Sequence, residues 1–369
     1  MKIDLEVKLD FDDVLILPKR SVLKSRKDVD ITRTFVMKHS GRTWTGVPII
    51  AANMDTIGTF AMHKALSKYH MMTAFHKFYT EEQHLTAWQS MSDREVELAW
   101  FSIGMREQDY QLFQAVQEKL DNRIQNLCID VPSAYLESFV DFLSKVREEN
   151  PDLTIMAGNV CTPEMTEALV LAGADIVKTG IGGGGQCSTR RVAGVGVPQL
   201  SAVIECADAS HGLKGLLCSD GGIVYPGDLG KAFGGNADFI MMGSVLGGHK
   251  ECDGELWERG KLYNPIRIVN DTIVNTRPND PIPDVKMKIY GMASQEAMDK
   301  HYSGKSDYKA AEGRVSFVPY KGTVANTVEE FLGGLRSTMS YIGAEKLKEV
   351  SKRTTFIRTN RILNRPQAE

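Results

Sequence analysis

No stretch of the 369-residue chain approaches the roughly 18 consecutive apolar residues of a membrane span, so no membrane association is expected. The first ten residues alternate charge and apolarity and lack the apolar core of a signal peptide, which makes the cytoplasm the expected compartment. Net charge is only −3, which excludes a general attraction to nucleic acid or anionic lipid. Any phosphate must then be held locally, by backbone amides and a few basic side chains. Cysteine is scarce and scattered, at positions 128, 161, 187, 206, 218 and 252, with no CxxC pair. That spacing suggests neither a disulfide framework nor a zinc site. Five of these cysteines read as small buried hydrophobes; Cys187, inside a polar glycine-rich loop, does not.

What the chain does have is rhythm. Short apolar runs recur every 25 to 45 residues or so: 47–53, 71–75, 99–103, 126–131, 153–157, 176–179, 216–219 and 239–242. They are β-rich and lack polar alternation, as expected of parallel strands buried on both faces. Helical spacing fills the intervals, most clearly over 132–148 and 162–172, with a last amphipathic helix over 327–341. Eight such repeats predict an α/β fold, a (β/α)8 TIM barrel in a single domain spanning 1–369. An open doubly wound sheet is the alternative. Glycine and polar runs at many strand ends (51–55, 76–77, 158–159, 180–185, 219–222, 243–244) favour the barrel, because an open sheet would gather them at one switch point. The stretch 247–290 contains Pro265, Pro278, Pro281 and Pro283 and is too long for an ordinary loop. It predicts a protruding flap or hairpin insertion after strand eight, with a disordered insertion as the alternative. The basic tail, 346–369, reads as surface-exposed.

The segment 178–199 concentrates the chemistry. Gly180 and Gly182 to Gly185 precede Cys187, and Gly194 and Gly196 follow it. Such a loop can approach a ligand closely and present consecutive amides to an ion. Arg190 and Arg191 stand close to Cys187 in sequence and could favour its thiolate, making it a candidate nucleophile; an ordinary loop thiol is the alternative. Asp220 with Gly221 and Gly222 ends strand seven, and Gly243 with Ser244 ends strand eight. Together these positions suit a phosphorylated ligand, the carboxylate facing ribose hydroxyls. Lys77, after strand two, is placed to meet a phosphate or cofactor, whereas a lone histidine such as His76 is more often structural. Glu312 is, on its own, an acidic loop residue.

Read in order, FDDVLI (11–16), AANMDT (51–56), AGNV (157–160), the cysteine loop, SDGG (219–222), YGM (290–292) and AAEG (310–313) resemble the IMP dehydrogenase/GMP reductase family over nearly the whole chain. The reductase branch fits better. No regulatory insertion interrupts the barrel, Glu312 stands where the dehydrogenases carry glutamine, and HKFY (76–79), CIDV (128–131) and RTTFIR (353–358) are reductase-like. The resemblance implies NADPH-dependent reductive deamination of GMP to IMP and ammonia, through a thioimidate on Cys187 with Thr189 and Glu312 as proton relay. It assigns Asp220 to the ribose, and Gly221, Gly222, Gly243, Ser244 and Tyr290 to the phosphate. Gly291, Met292, Lys309, Ala310, Ala311 and Gly313 would face the base. Lys77, Asp130, Val131, Pro132, Ile181 and Gly182 would meet the cofactor, with Ser25 and Arg26 reaching it from a neighbouring subunit of a homotetramer. Gly182, Gly184, Cys187 and Arg190 would lend carbonyls to potassium. Departures at Gly183–Gln186, Pro132–Ala134 and Ser244 leave two alternatives open: a sister enzyme acting on another purine nucleotide or oxidising IMP, and a non-catalytic nucleotide sensor.

Overall fold

The computed structural model describes residues 3–258, 261–262, 268–269, 272–273, 284–301 and 310–359. Its centre is a closed barrel of eight parallel strands in sequential order: β1 (Ile49–Ala51), β2 (Met72–Ala74), β3 (Ala99–Ile103), β4 (Asn126–Asp130), β5 (Thr154–Val160), β6 (Ile176–Thr179), β7 (Leu216–Asp220) and β8 (Phe239–Met242). Each expected apolar run holds one strand. Closure makes alternate residues face the bore or the surrounding helices. Ile50, Met72, Trp100, Cys128, Met156, Ile176, Cys218 and Phe239 share the inner cluster, while their neighbours pack outward against the helices. The lower mouth is plugged by a hairpin, Arg33–Val36 with Thr43–Gly46, whose Phe35 and Trp44 rings lie 4.8 and 5.3 Å from that of Phe239.

Local signals set the helix ends. Thr80 and Gln83 form a capping box at the start of Glu81–Ser90, Pro163 opens Pro163–Leu171, and Gly343, at φ 70°, ends Ala325–Ile342. Among the described residues no helix is long and apolar enough to cross a membrane.

One sequence expectation is corrected, and two are refined. The helix expected over 132–148 is Glu137–Glu149, because the amides of Val131 and Ala134 are bound by the carbonyls of Gly158 and Asn159, which draws 131–134 into a loop over β5. The described part of the tail is exposed at its basic residues, Lys346, Lys348, Lys352, Arg353 and Arg358, but anchored by buried Leu347 and Val350, and Phe356–Arg358 pairs antiparallel with Val14–Ile16. The insertion expected after β8 lies partly outside the described residues, and its described strands pair beyond its own bounds. Leu256–Glu258 and Val285–Tyr290 form a sheet with Lys261–Leu262 and with Val315–Pro319, a strand from beyond the segment read as a flap.

Opposite the site-bearing ends, Arg147 staples the barrel floor. Its guanidinium donates to the carbonyls of Gly173 (2.9 Å), Asn150 (3.1 Å), Pro151 (3.0 Å) and Leu153 (2.7 Å), and to Asp175 (2.7 Å). Asp175, fully buried, also accepts the amides of His39 and Ile155. Arg147→Met would strand this carboxylate, and breaking such a pair typically costs about 3–5 kcal/mol. Urea unfolding should register a loss of that order, whereas a loss below about 1 kcal/mol would show the staple to be incidental.

Candidate active site

The polar strand ends converge on one cavity of about 310 Å³ at the C-terminal mouth of the barrel. Cys187 stands in its wall. Its loop is held from two sides: the Cys187 amide donates to Gly184 O (3.0 Å), while Ser188 N reaches Glu312 O and Arg314 N reaches Gln186 O, each at 2.8 Å. A bridge between Cys187 and Gly313 thus brings together residues more than a hundred positions apart. The side chains line up as well. Cys187 Sγ donates to Thr189 Oγ1 at 3.2 Å, and Thr189 Oγ1 donates to Glu312 Oε2 at 2.7 Å. A thiol, a hydroxyl and a carboxylate in series form a path along which a proton can leave sulfur and be stored on a carboxylate.

Across the cavity three glycine turns meet. Gly184 and Gly185, Gly221 and Gly222, and Gly243 with Ser244 all line it. Gly221 has φ 97°, and a Cβ there would lie 3.0 Å from Gly184 N, so only glycine allows the turns to approach this closely. Their convergence produces a surface rich in backbone amides, suited to a phosphate. Asp220 sits beside it and accepts from Asn159 Nδ2 (2.9 Å) and Lys178 Nζ (2.8 Å). Lys178 also holds Asp130, at 2.5 Å. Neither Asn159 nor Lys178 was singled out from the sequence. For Lys178 a signal existed: a lysine inside an apolar strand of a buried sheet must have a partner. On the far side lie Lys77, Phe78, Val131, Pro132, Ile181 and Gly182. His76 is structural: it is buried, stacked on Tyr79 at 3.8 Å, and held by burial down to a pKa of about 4.

Other expected residues are placed differently. Tyr290 does not line the cavity; its hydroxyl donates to Asp55 Oδ2 at 2.6 Å. The same oxygen engages His301 Nε2 (2.8 Å) and Lys300 Nζ (3.1 Å), and the ring of His301 stacks on Phe78 at 3.5 Å. Buried Asp55 is therefore a hub docking 290–301 on the barrel, and it too was missed. Gly291, Met292 and Gly313 do line the cavity, Ala310 and Ala311 lead into Glu312, and Lys309 lies outside the described residues. Arg190 is not the counter-ion of Cys187 that sequence proximity suggested. Its guanidinium pairs with Asp10 at 2.6 and 3.1 Å and donates to Val197 O, tying the N-terminal segment to the loop. Ser25 and Arg26 are exposed and contribute nothing to this chain's own cavity.

Cys187 is the half-buried cysteine among six; the others are buried, and burial pushes the thiols of Cys128 and Cys252 up to about 12 and raises those of Cys161, Cys206 and Cys218. Brief iodoacetamide treatment of the native protein should therefore alkylate Cys187 first, with the other five reacting only after unfolding. Peptide mass spectrometry reads this directly, and equal labelling of any buried cysteine would contradict the geometry.

Comparison with known proteins agrees with this arrangement. A sequence model described as IMP dehydrogenase / GMP reductase domain matches residues 8–268 and 282–364. The chain is 50% identical to a GMP reductase of Aliivibrio fischeri over 359 residues, covering 97% of this chain and 96% of that protein. It is 49% identical to a GMP reductase of Klebsiella pneumoniae over 369 residues and 50% identical to one of an Enterobacter species over 370, with 99% of each chain covered in both cases. With the barrel, the cavity and the order of the motifs, these matches show that the chain belongs to the IMP dehydrogenase/GMP reductase family.

Proposed function

We propose that this chain reductively deaminates GMP to IMP and ammonia, with NADPH as reductant and a covalent thioimidate on Cys187. The observation that carries the reading is the Cys187–Thr189–Glu312 series, 3.2 and 2.7 Å long, at the wall of a cavity with a glycine-lined anion surface. The proton of the Cys187 thiol passes through Thr189 to Glu312, leaving a thiolate that adds to C2 of the guanine ring. Glu312 returns the proton to the exocyclic amine, which leaves as ammonia when the C2–N bond breaks and the ring C=N bond re-forms. When bound, NADPH supplies the hydride that reduces C2, after which the C2–S bond breaks and Cys187 departs as thiolate. A carboxylate suits this step because it must give and take a proton at one atom, which a glutamine cannot do.

Within the cavity, Asp220 would hold the ribose, and Gly221, Gly222, Gly243 and Ser244 the phosphate. Gly291, Met292, the 309–311 stretch and Gly313 would face the base. Tyr290, with its hydroxyl on Asp55, would shape the phosphate wall from behind. The residues fit a dinucleotide: the space beside Cys187 continues past Asp130, Val131 and Pro132 to a cation and an aromatic ring, Lys77 and Phe78. Ile181 and Gly182 would close its other side. Ser25 and Arg26, exposed on this chain, are suited to reach the cofactor of a neighbouring subunit in a homotetramer. A potassium ion would be held by the carbonyls of Gly182, Gly184, Cys187 and Arg190, and would brace the cysteine loop. The loop's ends do meet: Gly182 has φ 82°, and a Cβ there would lie 2.5 Å from Arg190 Cγ.

Purified protein with GMP, potassium and NADPH should lose NADPH absorbance and form IMP and ammonia. Silence with GMP, but NADH formed from IMP and NAD, would move the chain to the oxidising branch. Cys187→Ala should abolish turnover while GMP still binds. Glu312→Gln should slow ammonia release by about 10²–10⁴, the usual contribution of a general acid–base group.

A further inference from the structure

The bore of the barrel changes character near its upper mouth. Cys128, Ile176 and Cys218 belong to its apolar cluster. Two residues further along the same three strands stand Asp130, Lys178 and Asp220. Lys178 is 2% exposed, and its ammonium donates to Asp130 Oδ1 at 2.5 Å and to Asp220 Oδ2 at 2.8 Å. Gly158 lies between Asp130 and Lys178 in the strand register. A Cβ there would stand 2.3 Å from Lys178 O and 2.8 Å from its Cβ, so glycine makes this close packing possible. Desolvation alone would neutralise a buried lysine. Here Asp130 and Asp220 hold its ammonium well above the ordinary range. Conversely, Lys178, aided by Asn53 and Lys77, holds Asp130 below the usual carboxylate range. Cys128 and Cys218, on the two flanking strands beneath Lys178, are titratable groups that also face it, and burial keeps both as neutral thiols.

We propose that Lys178 is a positioning residue that couples the nucleotide and cofactor halves of the cavity, by clamping one oxygen of Asp220 and one of Asp130 to a single ammonium. The inference rests on the nucleotide-and-cofactor reading of the cavity. One shared cation holds both carboxylates in fixed rotamers, so each presents the rest of its carboxylate to its own ligand. A change of hold on one is transmitted to the other through the same nitrogen.

The test is calorimetric titration of wild type, Lys178→Met and Lys178→Arg with GMP and, separately, with NADP+, between about pH 6 and 8, where a ribose-binding carboxylate should normally stay ionised. Without the ammonium the two carboxylates repel, and one rises in pKa by about 1–3 units. Lys178→Met should therefore weaken GMP about tenfold near neutrality and more steeply as pH falls, while also weakening NADP+. Lys178→Arg, which keeps the charge, should restore the wild-type pH slope. The phosphate of GMP titrates equally in all three proteins, so the comparison of slopes isolates the protein. Wild-type affinities in Lys178→Met, or a loss independent of pH, would overturn the proposal. Should Lys178→Met not fold, Asp130→Asn leaves the ammonium to Asp220 alone and should change GMP affinity at least threefold or so from the cofactor side, since coupled neighbours are not additive; unchanged GMP affinity would overturn the coupling. Wild type that binds both ligands without turnover would sink the reaction reading and leave this test intact. Binding of neither would sink both.

Discussion

Closing eight parallel strands into a barrel forces every second residue into a bore that must be filled, and the site follows from how it is filled. Low down, the filling is apolar and sealed by Phe35 and Trp44 against Phe239. Near the upper mouth the same alternation delivers Asp130, Lys178 and Asp220. Charges persist in such a place only when paired. Lys178 satisfies two carboxylates at once, and the cavity floor is therefore both ionic and rigid. Asp175 and Arg147 apply the same rule at the opposite face, where the pair binds turns to one another.

The placement of Cys187 depends on a different constraint. A glycine-rich loop carries large backbone entropy and holds no conformation by itself. Here it is fixed from outside, by main-chain bonds to 312–314 and by Arg190 on Asp10. The strip bearing Glu312 is steadied in turn: Glu312 N donates to Ala293 O, and 290–301 is docked through Asp55. Cys187, Thr189 and Glu312 meet because three weakly structured segments support each other. Such an assembly can loosen locally without unfolding the barrel, since its stability is separate from that of the core. Catalysis that must admit a nucleotide, release ammonia and expel a product benefits from that separation.

Much of this was legible in the chain. Eight apolar runs with intervening helical spacing were enough for the barrel, because strands buried on both faces need no polar alternation and leave a plain periodic signal. Cys187 stood out as a cysteine in a polar glycine loop, and Asp220, Gly221 and Gly222 as a charged turn where a strand ends. Less was legible where meaning depends on who the neighbour is. Arg190 looked like a partner of Cys187 by proximity in sequence, yet pairs with Asp10, 180 positions away. Tyr290, assigned to the phosphate by resemblance alone, has its hydroxyl on Asp55, 235 positions away. Leu347 and Val350 were hidden in a basic tail that composition alone assigns to solvent.

The sequence by itself determined the strands, most of the helices and the chemical types available at the barrel mouth. These are local properties, governed by side-chain pattern, capping and backbone freedom within a few residues. Beyond the relay that the resemblance implied, only the tertiary structure decided which groups meet: Lys178 with Asp130 and Asp220, Asp55 with Tyr290 and His301. Those pairings join residues tens to hundreds of positions apart. Hydrogen bonds and ion pairs act over a few ångströms, so their partners exist only once closure of the barrel has brought the strand ends to one mouth.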